Sequence, residues 1–281
     1  MRKAVTLHPI RYMRDPPVDS VRALATLPDG FRADNSRIMI PPMEHPGVPE
    51  RSRAVRALFF DAGNTLLRIN YGAIAAELGR HGIHRDPDEV ARAEYRARVR
   101  LDPHLAPGRS TESQSAGGYY FRYLLEELEI ADPETGRALA EWRKSYNRPV
   151  GLWNQADAEA ERVLERLRAL GLTAGVISNS NGSVRGILEE LGLARHLDFI
   201  LDSAVVGVEK PDPRIFRMAL DAAQVGPAEA VYIGDFYSVD VLGARGAGLR
   251  AILLDPGNAW GPLDCPVARS LGEAVELALR G

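Results

Sequence analysis

The second half of the sequence alternates between apolar runs of strand length and apolar patterns of helical spacing, and this alternation constrains the fold most strongly. The short runs lie at residues 172–177, 199–201, 230–233 and 249–254. The helical patterns lie at residues 163–170, 184–191, 213–223, 239–247 and 271–279. Strands that alternate with helices join through right-handed crossovers and form a parallel sheet with helices on both faces. The sequence therefore predicts an α/β fold.

An earlier apolar run ends abruptly at Asp61 and is followed by turn-forming residues. Residues 55–65 read V-R-A-L-F-F-D-A-G-N-T. The Phe and Val content indicates a buried strand, and the Ala-Gly-Asn that follows the aspartate indicates a turn. An isolated Asp-x-Gly more often only begins a turn. However, ligands of open parallel sheets bind beyond the carboxyl ends of the strands, so Asp61 is also placed to act on a ligand.

The chain divides into three kinds of segment. Residues 1–54 hold eight of the 19 prolines and no sustained apolar period, which predicts a flexible, Pro-rich extension. Residues 69–150 carry helical patterns only, so we predict a helical domain inserted after the first strand. The α/β core is then formed by residues 55–68 and 151–281.

Composition excludes several classes of protein. A net charge of −3 gives no electrostatic argument for nucleic acid or an anionic membrane as a partner. A single cysteine, Cys265, cannot form an intramolecular disulfide. Apolar runs of about eighteen residues, as a membrane span requires, are missing, and the N-terminus lacks an apolar signal core. We predict a cytoplasmic protein, monomeric or homodimeric, that contacts neither nucleic acid nor membrane.

Polar side chains follow several of the predicted strands. They are Asp61, Ser178, Lys210, Asp235 and Asp240. Since parallel strands point the same way, these groups should collect at one edge of the sheet. Carboxylate oxygens without clustered His or Cys suit Mg²⁺ rather than zinc. A lysine and a hydroxyl beside such a cation suit a phosphate group. The sequence therefore predicts a site for Mg²⁺ and a phosphorylated substrate.

At these positions the sequence resembles the haloacid dehalogenase-like (HAD) hydrolase superfamily, with all of its motifs in order. They are D-A-G-N-T at residues 61–65, Ser178 after residues 173–177, E-K-P-D-P at residues 209–213, and G-D-F-Y-S-V-D at residues 234–240. The resemblance covers residue 55 to the C-terminus. It implies a Rossmann-like core, and the helical insert resembles the family's C1-type cap.

The resemblance also implies roles for individual residues. Asp61 would attack phosphorus and form an aspartyl-phosphate that water then hydrolyses. Lys210 would bind the transferring group and stabilise its charge, together with Ser178. Mg²⁺ would be held by Asp61, Asp235 and the carbonyl of Gly63, with Asp240 as a direct or water-mediated ligand.

The remaining candidates lie next to these motif residues. Asn179 follows Ser178, and it is predicted to contact the phosphate. The loop after Asp61 includes Gly63, Asn64 and Thr65, which are also predicted to contact the phosphate. Thr65 is further predicted to support this loop through hydrogen bonds.

Gly63 departs from the family pattern. Phosphatases of the family usually carry a second Asp at this position, which protonates the leaving alcohol, and the loss of a general acid costs about 10²–10⁴-fold in rate. The resemblance therefore implies a slow phosphatase or one restricted to good leaving groups such as acyl phosphates. Two alternatives remain open: a 2-haloacid dehalogenase-type hydrolase, which needs no acid, and a catalytically weak HAD-like binding module.

Overall fold

The protein is described by a computed structural model over residues 54–105 and 114–280. Except for Ala54, the predicted extension lies outside these ranges. The strands are β1 (Ala57–Phe60), β2 (Leu67–Arg68), β3 (Gln155–Ala156), β4 (Thr173–Ser178), β5 (Phe199–Asp202), β6 (Ala230–Gly234), β7 (Arg250–Leu254) and β8 (Val267–Ala268). The α-helices are α1 (Tyr71–Arg80), α2 (Pro87–Leu101), α3 (Gln114–Glu127), α4 (Pro133–Ser145), α5 (Ala160–Ala169), α6 (Val184–Glu190), α7 (Ser203–Val206), α8 (Pro213–Ala223), α9 (Leu242–Gly246) and α10 (Leu271–Arg280). A π-helical turn, Tyr237–Val241, precedes α9.

Six strands form one parallel sheet in the order β5-β4-β1-β6-β7-β8. The pairing aligns Phe60 at the end of β1 with Val176 in β4 and with Ile233 in β6. The carboxyl ends of these three neighbouring strands therefore meet at one edge. This arrangement confirms the predicted α/β, Rossmann-like class.

The central strand β1 is buried on both faces, which explains its uninterrupted apolar sequence. Leu58 and Phe60 point into the hydrophobic cluster formed with α5, α6 and α10. Ala57 and Phe59 point into the opposite cluster, formed with α8 and α9. All four side chains are fully buried. The sheet is thus covered by helices on both sides.

Helices α1 to α4 pack around a hydrophobic cluster of their own, which includes Ile74, Val90, Leu124 and Leu139. The chain enters this helical block after β2 and leaves it before β3, and these two short strands pair antiparallel. The sequence pattern did not predict this pairing, because each strand has only two residues. We call α1 to α4 the cap.

Local sequence signals explain where several helices begin. Asp132 and Asp212 are N-cap residues whose carboxylates accept hydrogen bonds from backbone N–H groups of the first turn, and a proline follows each. Asp86 forms a capping box with Glu89 at the start of α2. In the described part of the chain, none of the helices has the length and apolar character of a membrane span.

Candidate active site

The buried edge of the sheet brings together most of the predicted site residues. Asp61 directly follows β1, and its backbone N–H donates to the carbonyl of Ile233 in the adjacent β6, at 2.9 Å. Ser178 is the last residue of β4, and Asp235 directly follows β6. Each of these three side chains is buried. The register of three parallel strands therefore positions them.

Lys210 reaches this edge from the loop before α8 and contacts two carboxylates. Its Nζ lies 2.5 Å from Oδ1 of Asp61 and 2.8 Å from Oδ1 of Asp240. The backbone of Lys210 is held by the side chain of Asn179, which accepts from its N–H at 2.8 Å and donates to its carbonyl at 2.9 Å. In this structure Asn179 therefore orients the lysine, while its predicted phosphate contact stays a prediction.

Tyr232 is a site residue that the sequence did not reveal. It lies in β6 within an apolar run, where a tyrosine looks like any buried aromatic residue. Its hydroxyl accepts from Lys210 Nζ at 2.9 Å and donates to Oδ1 of Asp240 at 2.9 Å. Burial, and next the charge of Asp240, raise the pKa of Tyr232, so it stays protonated. It therefore helps to orient the Lys210 ammonium.

Asp240 is bound by protein groups through both carboxylate oxygens. Oδ1 accepts from Lys210 and Tyr232, as described, and Oδ2 accepts from the backbone N–H groups of Asp235 at 3.1 Å and Phe236 at 2.9 Å. A Cβ on Gly234 would lie only 2.4 Å from Cγ of Asp240, so glycine permits this close approach. Asp240 thus orders the loop that presents Asp235, while its predicted contact with a cation stays a prediction.

Asp235 is held by residues from the core and the cap. Its Oδ2 accepts from Nη1 of Arg98 at 2.7 Å and from Nδ2 of Asn64 at 3.2 Å. Asn64 itself has a left-handed backbone conformation, with φ of 55°, which asparagine adopts more readily than most residues. Arg98 lies in α2 and was not predicted, because an arginine in a highly charged helix usually faces solvent. Only the packing of the cap brings it to the site.

The site carries more buried negative charge than its cations balance. Burial raises the pKa of Asp61 to about 7; the Lys210 ammonium opposes this shift, and the charges of Asp240 and Asp235 add to it. Burial also raises the pKa of Asp235, against the opposing charge of Arg98. For Lys210, burial lowers the pKa, but the two carboxylates that it contacts raise it overall, so the ammonium stays charged.

This donor set fits a hard divalent cation. Asp61 and Asp235 are buried carboxylates that directly follow adjacent strands, and burial raises the pKa of each, so a bound cation would stabilise their charged forms. Oxygen ligands of this kind are those that Mg²⁺ prefers. The carbonyl of Gly63, in the same loop as Asn64, is the further predicted ligand.

Trp153 covers the position of the missing general acid. A Cβ on Gly63 would lie 3.0 Å from Nε1 and 3.2 Å from Cδ1 of the Trp153 indole. The indole therefore occupies the space that a longer side chain at residue 63 would need. Its Nε1 is buried and has no hydrogen-bond partner among the residues that the structure describes. This contact could not be predicted from the sequence, because residues 63 and 153 lie far apart in the chain.

The other predicted candidates make weaker or different contacts. Ser178 Oγ is 3.5 Å from the carbonyl of Asn179, at the limit of a hydrogen bond. Thr65 is fully buried, and within the described ranges its Oγ1 has no hydrogen-bond partner, so the loop support predicted for its hydroxyl is not seen. Phosphate contacts by Ser178, Gly63, Asn64 and Thr65 stay predictions.

Comparison with known proteins decides the family. Residues 55–248 match the model of the haloacid dehalogenase-like hydrolase family, which is more than half of the chain. This chain belongs to the haloacid dehalogenase-like hydrolase family. The sequence resemblance to the HAD superfamily is thereby confirmed.

Individual HAD-like relatives support the assignment. The human haloacid dehalogenase-like hydrolase domain-containing protein 3 is 32% identical over 219 residues, which cover 74% of this chain and 85% of that protein. A phosphoserine phosphatase from Thermus thermophilus is 41% identical over 157 residues, covering 55% of this chain and 61% of the relative. The crystal structure of a HAD hydrolase from Bacillus subtilis bound to magnesium has a TM-score of 0.56 and 21% identity; the match covers 82% of this chain and all (100%) of that one, and it shows the shared fold.

Proposed function

We propose that this HAD-like hydrolase is a Mg²⁺-dependent phosphatase that acts on a small phosphorylated metabolite through an aspartyl-phosphate. The observation that carries the proposal is the contact of Lys210 Nζ with Asp61 Oδ1, 2.5 Å long, at the sheet edge where Asp235 also lies. It is supported by relatives that are phosphatases, such as the phosphoserine phosphatase of Thermus thermophilus. A cytoplasmic location and a monomeric or homodimeric state stay predictions of the sequence.

In the proposed reaction, Oδ of Asp61 attacks phosphorus and the bond from phosphorus to the leaving oxygen breaks. Lys210 stabilises the negative charge on the transferring group, and Ser178 binds one of its oxygens. Asp61, Asp235 and the carbonyl of Gly63 would hold Mg²⁺, which offsets the repulsion between carboxylate and phosphate. Water then attacks the aspartyl-phosphate, releasing phosphate and regenerating Asp61.

The structure supports a preference for good leaving groups. A carboxylic acid near residue 63 would protonate a leaving alkoxide, but Trp153 fills the adjacent space and an indole N–H does not give up its proton at neutral pH. Acyl phosphates leave as carboxylates and need no proton. We therefore propose that acetyl phosphate is hydrolysed faster than alkyl phosphates.

The direct test measures phosphate release from acetyl phosphate and p-nitrophenyl phosphate by the purified protein. We expect turnover with Mg²⁺, a loss of at least about 100-fold in EDTA, and recovery when Mg²⁺ is restored. Full activity in EDTA would contradict the Mg²⁺ dependence. Failure to release phosphate, with chloride release from 2-chloropropionate, would replace the phosphatase by a dehalogenase.

Adding an acid at residue 63 should help only when space is made for it. We expect Gly63→Asp alone to gain no activity, because its Cβ would lie 3.0 Å from Trp153 Nε1. The double variant Gly63→Asp/Trp153→Ala should hydrolyse glycerol phosphate at least about 10-fold faster than Trp153→Ala, since a general acid contributes about 10²–10⁴-fold. Acetyl phosphate is the internal control, because its hydrolysis should not respond. A gain in Gly63→Asp alone would contradict the steric argument.

A further inference from the structure

Arg98 brings a buried positive charge from the cap to a predicted cation ligand. Its Nη1 lies 2.7 Å from Oδ2 of Asp235, and both side chains are only 3% exposed. Within the described ranges, Asp235 makes both of its side-chain hydrogen bonds through this same oxygen. A cation that binds this oxygen would therefore have to take the place of the guanidinium.

Residues of the cap hold Arg98 in this position. Glu94, one turn earlier in α2 and fully buried, has Oε1 at 3.0 Å from Nε of Arg98, close enough for an ion pair although the geometry is not that of a hydrogen bond. The hydroxyl of Tyr71 donates to the other oxygen of Glu94 at 3.2 Å. The pairing of Arg98 with both carboxylates leaves little freedom for its side chain.

A second contact attaches the same end of α2 to the loop that follows Asp235. Asp102, directly after α2, accepts hydrogen bonds through Oδ1 from the backbone N–H and the hydroxyl of Ser238, each at 2.9 Å. The end of α2 is thus bound to residues 235 and 238 by two independent polar contacts. A movement of the end of α2 away from the sheet edge would break both contacts.

We propose that Arg98 competes with the divalent cation for Asp235, so that cation binding displaces the end of α2 from the sheet edge. This inference rests on the proposed function, since it concerns the cation of that site. A ligated Mg²⁺ lies about 2.1 Å from its oxygen, and a guanidinium on the same buried carboxylate would repel it strongly. Binding of the cation and docking of α2 are then linked, and each weakens the other by the same factor.

The test measures Mn²⁺ affinity by titration with electron paramagnetic resonance, which requires no turnover. The variant is Glu94→Gln/Arg98→Gln, which removes the cap ion pair without changing net charge. We expect it to bind Mn²⁺ at least about 10-fold more tightly than the wild type, within the usual range of coupling between sites. The matched control is Arg96→Gln, an exposed arginine of the same helix that pairs with Glu127 instead; its affinity should stay within about 2-fold of the wild type.

Equal or weaker Mn²⁺ binding by the double variant would overturn the competition and leave the phosphatase proposal intact. Failure of all proteins to bind Mn²⁺ would overturn both the competition and the proposed cation dependence. A second measurement uses only the wild type, in case the variant does not fold. Hydrogen exchange of the α2 amides should accelerate at saturating Mg²⁺ relative to EDTA; unchanged or slower exchange would overturn the inference.

Discussion

We expect Asp61→Asn to lower the rate of phosphate release by at least about 10³-fold while the protein stays folded. The amide cannot attack phosphorus, so the variant cannot form the covalent intermediate. The measurement is the rate of phosphate release from acetyl phosphate at saturating Mg²⁺. Residual activity within 10-fold of the wild type, a margin of about 1.4 kcal/mol, would contradict the role of Asp61.

In the same variant, the free energy of unfolding should depend less on pH than in the wild type. Burial raises the pKa of Asp61 from the ordinary range of an aspartate to about 7, so near pH 5 the folded protein binds a proton there that the unfolded chain releases. The free energy of unfolding therefore falls as pH rises from about 4 to about 7. Asp61→Asn removes this loss, and in EDTA at pH 8 we expect it to be more stable than the wild type by about 1–4 kcal/mol. Urea unfolding at pH 5 and pH 8 measures the difference.

Asp255→Asn is the matched control for both readouts. Asp255 is also a buried aspartate directly after a strand, but its carboxylate contacts no group of the site: it accepts from the N–H groups of Ala259 at 3.0 Å and Trp260 at 3.1 Å and pairs with Arg269 at 2.8 Å. We expect this variant to lose stability at both pH values and to retain phosphate release in proportion to the folded protein. A gain of stability at pH 8 in Asp255→Asn, or its absence in Asp61→Asn, would contradict the assignment of the pH dependence to Asp61.

Lys210→Met should be the most destabilising single change at the site. It leaves the buried carboxylates of Asp61 and Asp240 without their shared ammonium, and removal of one partner of a buried ion pair costs about 3–5 kcal/mol. The cost should be largest at pH 8 and smaller at pH 5, because burial already raises the pKa of Asp61 to about 7 and loss of the ammonium raises it further, so this carboxyl is neutral at pH 5. Urea unfolding in EDTA at both pH values measures it, and phosphate release should be lost as well.

Tyr232→Phe separates the charge of Lys210 from its hydrogen bonds. It removes a neutral hydroxyl that accepts from the ammonium and donates to Asp240. We expect a cost of about 1.5–3 kcal/mol, equal at both pH values, because both hydrogen bonds involve charged groups. A cost for Lys210→Met that is as small as this, or that does not change with pH, would show that the ammonium does not balance the buried carboxylates.

The order of residues was enough to predict the parallel sheet and the residues at the ends of its strands. The apolar run of β1 has no polar position because both faces of the strand are buried. Asp61 ends that run, Ser178 ends the next, and the carboxyl ends of parallel strands have to meet at one edge. The apolar pattern of a buried strand and the handedness of a crossover depend on residues close together in the sequence. Both can therefore be predicted from the order of residues. The position of Lys210 followed from the same argument and from the family motifs.

The residues that surround those motifs could be recognised only in the folded protein. Arg98 and Asp235 are 137 residues apart, and their contact depends on how the cap packs against the core. In the sequence, Arg98 resembles the exposed arginines of the same helix, and Trp153 resembles any buried aromatic residue. Their roles depend on the distances that separate them from residues far away in the sequence. Such distances depend on the packing of whole faces, which the spacing of residues along one element does not encode.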